Sequence, residues 1–79
     1  MDHKSRLVEH YRDHELVSEI VSSAKGWEYV IHVVEHQGDD DLLRCKEHST
    51  ERYTTDLEAL QAAKVRGHEL VDALIAGGQ

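Results

Sequence analysis

The sequence predicts an α+β fold, a three- to four-stranded antiparallel sheet packed by one C-terminal amphipathic helix. Two patterns carry this. Between Trp27 and Val34, the residues Trp27, Tyr29, Ile31 and Val33 alternate with Glu28, Val30, His32 and Val34. A period of two, rich in β-branched and aromatic side chains, is a strand pattern. From Leu57 to Ile75 the apolar residues recur three and four apart, which is a helix pattern. A chain of 79 residues holds one domain, so 1–79 is read as a single unit whose two kinds of element share one core.

In the first 24 residues Leu7, Val8, Tyr11, Leu16, Val17, Ile20, Val21 and Ala24 scatter around a helical wheel, so a strand from about His14 to Ser22 is preferred over a helix. Residues 1–13 are read as a flexible arm or a short additional element. The alternative order is helix, strand, strand, helix. Lys25-Gly26 is read as a tight turn into the Trp27 strand. Gln37-Gly38-Asp39-Asp40-Asp41 is a loop, and Leu42 to Glu47 returns antiparallel. Ser49-Thr50-Glu51-Arg52 reads as a turn, with Tyr53 as a short strand or bridge. Thr55-Asp56-Leu57-Glu58 forms a capping box, with Thr55 as N-cap and Glu58 reaching back. Leu57, Leu60, Ala63, Gly67, Leu70, Val71, Leu74 and Ile75 then share about half of the wheel. Gly67 costs about 1 kcal/mol relative to alanine inside a helix, so it marks a close approach to the sheet. Gly77-Gly78 ends the helix.

The segments Tyr11–Leu16, Gly26–Ile31 and Tyr53–Leu60, with Gly67 and Val71-Asp72, resemble those of small uncharacterised bacterial proteins. Those proteins share a β-meander followed by one C-terminal helix. The resemblance implies a fold and no activity.

The formal charge of −7 argues against nucleic acid or an anionic membrane as partner, because both recruit clustered Lys and Arg. It leaves a protein partner or a homodimer. A lone cysteine, Cys45, cannot form an internal disulfide, and a reducing, cytoplasmic setting fits it best. Residues 1–25 are charged throughout, without the apolar stretch of a signal peptide. No run approaches the ~20 apolar residues of a membrane span.

Seven histidines, His3, His10, His14, His32, His36, His48 and His68, are the oddest feature of the composition. Protonating all of them would bring the formal charge from −7 to zero, so a pH- or metal-responsive protein is one reading. A zinc site needs several donors converging on one ion. On one strand His32 and His36 would stand roughly 13 Å apart, too far to share it. His10 and His14 would chelate only on a helix. Cys45 and His48 are the remaining pair, and two ligands are weak, so no metal or other cofactor is expected. Asp39-Asp40-Asp41 lacks the twelve-residue frame of a calcium loop and reads as a solvated turn. Cys45 has no base and orienting group in its local sequence, and it reads as a small half-buried side chain. With no catalytic motif and little room for a pocket, an enzyme is not expected.

One feature points to function. If Trp27, Tyr29, Ile31 and Val33 face the helix, then Val30, His32 and Val34 face away, with Val17 and Val21 beside them. A single helix leaves this second sheet face uncovered. Apolar rows on such a face mark association, so Val30, His32 and Val34 are the expected interface.

Overall fold

Three two-residue turns, Arg12-Asp13, Ala24-Lys25 and Gly38-Asp39, fold the first half of the chain into a meander. The computed structural model describes residues 4–77. Its strands are β1 (Lys4–Tyr11), β2 (His14–Ser23), β3 (Gly26–Gln37) and β4 (Asp40–His48), all antiparallel and in the order β1-β2-β3-β4. One helix, α1 (Asp56–Gly77), follows and packs mainly on β2 and β3. The expected α+β architecture is borne out, with the fourth strand supplied by the first segment. That segment is no arm: Lys4 to Tyr11 pairs along its length with Val21 to His14.

Turn chemistry explains the hairpins. Arg12 and Asp13 have φ of 51° and 66°, the left-handed pair that matches the twist of flanking strands in a two-residue loop. The second turn lies one residue earlier than the sequence suggests. Ala24-Lys25 forms the corner and Gly26 opens β3. Ser23 Oγ steadies it, accepting from the Lys25 N–H at 3.4 Å and donating to the Gly26 carbonyl at 2.9 Å. The third turn is tighter than the expected five-residue loop, because β3 runs on to Gln37 and β4 begins at Asp40.

The core is built where β2, β3 and α1 meet. Leu16, Ile20, Tyr29, Ile31 and Val33 come from the sheet, and Ala59, Ala63 and Val71 from the helix. The helix face differs from the expected leucine-rich arc. Its fully buried row is Ala59, Ala63, Gly67 and Val71, spaced four apart, while Leu57 is 60% exposed. Small side chains bring the helix backbone close to the sheet, and Leu60, Leu70 and Leu74 close its margins. Gly67 is the close approach that its sequence position implies. A Cβ there would stand 3.3 Å from Leu16 Cδ1.

The connector between β4 and α1 is pinned to β3. Trp27 and Tyr53 exchange backbone bonds of 2.8 and 2.9 Å, making the expected bridge. The Ser49 N–H donates to the Tyr29 carbonyl at 2.9 Å, and Ser49 Oγ accepts from the Tyr29 N–H at 3.2 Å. The capping box then starts the helix. Thr55 Oγ1 accepts from the Glu58 N–H at 3.1 Å, and Glu58 Oε1 accepts from the Thr55 N–H at 3.2 Å. Thr55→Ala is expected to cost about 1 kcal/mol by removing this reciprocal cap. Thermal unfolding should show a midpoint lower by roughly 4–8 °C, with no change in the folded spectrum.

Ion pairs on the helix side fix its roll. Arg66 forks onto Glu47 of β4 through Nε and Nη2, at 2.8 and 3.0 Å. The guanidinium holds the Glu47 carboxyl below the usual range. At the β1–β2 turn, the Tyr11 hydroxyl and Arg12 Nη1 both donate to Asp72 Oδ1, at 2.9 and 2.7 Å. Tyr11 also stacks on His68, with ring centres 4.1 Å apart. Among the described residues, no helix is long and apolar enough to cross a membrane.

Candidate functional site

Strand alternation sends every second residue away from the helix. The pairing register arranges them in rows across the sheet. One row runs Arg6, Glu19, Val30, His48 and the next Val8, Val17, His32, Lys46. A third runs His10, Glu15, Val34, Leu43. A bulge in the β3–β4 pairing at Val33/Val34 brings Leu43 onto this face, opposite Val34. Val8, Val17, Val34 and Leu43 thus give each of the four strands an apolar residue here. Val17 forms the floor at 6% exposure, while Val8 and Leu43 are 44% and 54% exposed. The rows form a shallow open groove of about 480 Å³, flanked by Arg6, Glu15, Glu19 and His32.

Val30, His32 and Val34 therefore all lie on the open face, each half-buried, and Val17 and Val21 accompany them. Trp27, Tyr29, Ile31 and Val33 face the helix, as the alternation implies. His32 Nε2 stands 3.4 Å from Glu19 Oε1. Cys45 and His48 are not brought together. Cys45 pairs opposite Val33 and packs against the core, whereas His48 pairs opposite Val30 on the other side of the sheet.

A second group of side chains lies at one end of the same face. His10 of β1, Glu15 of β2 and His36 of β3 place one ligand atom each within 4.8 Å of one another. His10 Nε2 is 3.5 Å from Glu15 Oε1, and His36 Nε2 is 3.2 Å from that same oxygen. The other ring nitrogen of His36, Nδ1, sits 2.6 Å from Asp41 Oδ1 of β4. The two imidazoles lie roughly parallel, with centres 6.3 Å apart. The Asp41 carboxylate, followed by Glu15, favours the charged imidazolium and raises the His36 pKa above its ordinary value. His14, which the sequence groups with His10, belongs to the opposite face. It is buried, with Nδ1 2.9 Å from the Arg12 carbonyl.

Sequence reasoning passes over this cluster because it compares histidines along single elements. The signal is nonetheless present. His10 and Glu15 are five residues apart, as are His36 and Asp41. Each pair flanks a two-residue turn, which makes its members direct cross-strand partners.

The fold and this face define a small α+β domain whose sheet is covered on one side and carries a mixed apolar, charged and histidine surface on the other. Comparison with known protein families, characterised proteins and solved structures finds no match to this chain.

Proposed function

We propose that this protein is a non-enzymatic interaction module that associates with a second copy of itself through the open sheet face. The observation that carries the reading is the set of apolar residues drawn from all four strands, Val8, Val17, Val34 and Leu43, joined by Val30. Such a set exposes surface that gains by leaving water. A second copy is favoured over a basic partner by charge. An isologous interface sets a face against itself, so it requires both signs on one surface. Here Arg6 and Lys46 share the face with Glu15 and Glu19, although the whole chain is strongly acidic. Four strands about 4.8 Å apart and eight residues long span roughly 500 Å² in projection. A stable interface takes roughly 800 Å² of accessible surface from each partner. The whole face, with its projecting side chains, is therefore engaged rather than one corner. A reducing, cytoplasmic setting belongs to the same reading and is supported by the single thiol.

The test is solution mass by size-exclusion chromatography with light scattering near pH 7.5. Wild type is expected to run as a dimer. Val30→Lys/Val34→Lys is expected to run as a monomer with unchanged circular dichroism, since four like charges would meet across the two-fold. Leu43→Lys, at a residue already 54% exposed, provides a second variant that keeps the core intact. A monomeric wild type, or a Leu43→Lys protein that remains dimeric together with the double variant, would overturn the reading.

A further inference from the structure

We propose that His10, Glu15 and His36 form a binding site for a divalent metal ion of the zinc class, with Asp41 orienting His36. The inference goes beyond the self-association reading and does not rest on it. Its first support is distance. In a tetrahedral zinc site with bonds of about 2.0–2.1 Å, neighbouring ligand atoms stand about 3.3 Å apart. The two contacts of Glu15 Oε1, to His36 Nε2 at 3.2 Å and to His10 Nε2 at 3.5 Å, bracket that edge. Two imidazoles and one carboxylate are a donor set found in zinc sites, leaving a fourth position for water.

The second support is the orientation of His36. Its Nδ1 faces Asp41 Oδ1 at 2.6 Å and its Nε2 faces Glu15 Oε1 at 3.2 Å. With the ring hydrogen on Nδ1, directed to Asp41, the Nε2 lone pair is turned toward Glu15. That Glu15 oxygen is also the one His10 Nε2 approaches, and the three ligand atoms lie within 4.8 Å of one another. Zinc takes the place that a second proton otherwise holds on Nε2. The Asp41–His36 contact is the carboxylate–histidine arrangement that fixes the tautomer of a metal ligand and strengthens it as a donor.

The third support is rigidity. The four residues come one from each strand, and the two turns that flank them, Arg12-Asp13 and Gly38-Asp39, lie at the same end of the sheet. In the single chain His10 is 72% exposed at its side chain and Asp41 66%, so an ion reaches the site from solvent before two copies meet. The sheet holds the backbone of each donor, and binding orders only side chains. Nitrogen donors favour zinc, nickel or copper over magnesium and calcium, which take all-oxygen shells.

The experiment is a titration of the full chain with zinc chloride at pH 7.5, read by calorimetry and by the side-chain nitrogen resonances of the histidines. The expected result is saturation at one equivalent per chain, with His10 and His36 shifting together and His32 and His48 unmoved. His36→Ala and His10→Ala should each weaken binding at least tenfold, and Asp41→Asn by about tenfold to a hundredfold. His32→Ala should bind as wild type. Magnesium chloride should produce no shift. Because all these positions lie on the face away from the helix and outside the core cluster, circular dichroism of each variant should match wild type. Uniform weak broadening of all histidines, or zinc affinity unchanged in both His36→Ala and His10→Ala, would overturn the site.

Discussion

Ile31→Ala is expected to cost about 2–5 kcal/mol, the usual range for deleting a fully buried aliphatic side chain. Ile31 has 0% exposure and stands at the centre of the sheet, between Ser18 of β2 and Glu47 of β4. It belongs to the core cluster that joins β2 and β3 to Ala59, Ala63 and Val71 of α1. The loss combines the transfer energy of the missing methyl and methylene groups with the cavity they leave. That cavity cannot collapse easily. The helix row opposite is alanine and glycine except for Val71, so it has little side chain to shift into the space. A domain of this size holds roughly 4–12 kcal/mol in total, at about 0.05–0.15 kcal/mol per residue. The substitution therefore removes a large share of it. Urea denaturation should show a midpoint far below wild type, with a folded baseline shortened or absent. Val65→Ala on the outer helix face, at a residue 62% exposed, should fall within about 0.5 kcal/mol of wild type. Equal effects at the two positions would place the core elsewhere.

Both faces of β3 are legible in the sequence because both carry a consistent pattern. Tyr29, Ile31 and Val33 make an uninterrupted apolar face, and their alternates include polar residues such as Glu28 and His32. The helix is legible for a different reason. Its capping box is local chemistry, complete within Thr55 to Glu58, and needs no tertiary knowledge. By contrast, β1 hides because neither of its faces is apolar. Ser5, Leu7, Glu9 and Tyr11 alternate with Arg6, Val8 and His10. As an edge strand beside the main helix contact, β1 has little to bury, and Leu7 remains 36% exposed. Its pairing is set by the Arg12-Asp13 turn rather than by hydrophobic period. The buried helix row is hidden for a related reason. A wheel weighted by side-chain size points at the leucines, whereas close packing on a sheet selects the smallest residues at the line of contact.

The open-face residues Val30, His32 and Val34 can be placed from alternation alone, since direction along a strand is a local property. The histidine cluster cannot, because its members come from four strands and meet only through register. Two turns set that register. Once Arg12-Asp13 and Gly38-Asp39 are recognised as two-residue corners, His10 must oppose Glu15 and His36 must oppose Asp41. What remains beyond reach of such a count is the meeting of the two hairpins. The reach of His36 Nε2 to Glu15 is diagonal, since the direct partner of Glu15 on β3 is Val34. A diagonal contact depends on sheet twist and rotamer, which no spacing rule supplies.

Gly26→Ala is expected to destabilise the domain by about 2–4 kcal/mol, through backbone strain and steric conflict acting together. Gly26 has φ of 133°, a conformation that side chains rarely adopt. A Cβ placed there would stand 2.8 Å from the Tyr53 carbonyl oxygen and 3.4 Å from Arg52 Cβ. The carbonyl cannot retreat cheaply. It accepts the Trp27 N–H at 2.8 Å, and the Tyr53 N–H donates back to the Trp27 carbonyl at 2.9 Å. Moving Tyr53 would break the bridge that anchors the connector, loosen its stacking on Tyr29 and shift the start of α1. Gly38→Ala is the informative comparison. Gly38 has φ of 64°, yet nothing lies within 4 Å of its Cβ position. It isolates the backbone cost, about 1–2 kcal/mol for a left-handed residue with a side chain. Trp27 is the single tryptophan of the chain and sits beside the conflict, so its fluorescence reports it directly. Urea unfolding followed at Trp27 should rank the proteins wild type, Gly38→Ala, Gly26→Ala, in falling order of midpoint. The folded emission of Gly26→Ala alone should shift, as the bridge to Tyr53 opens. If Gly38→Ala proves the more damaging, the close approach at Tyr53 is not a structural constraint, and the connector owes its position to Ser49 and the helix cap instead.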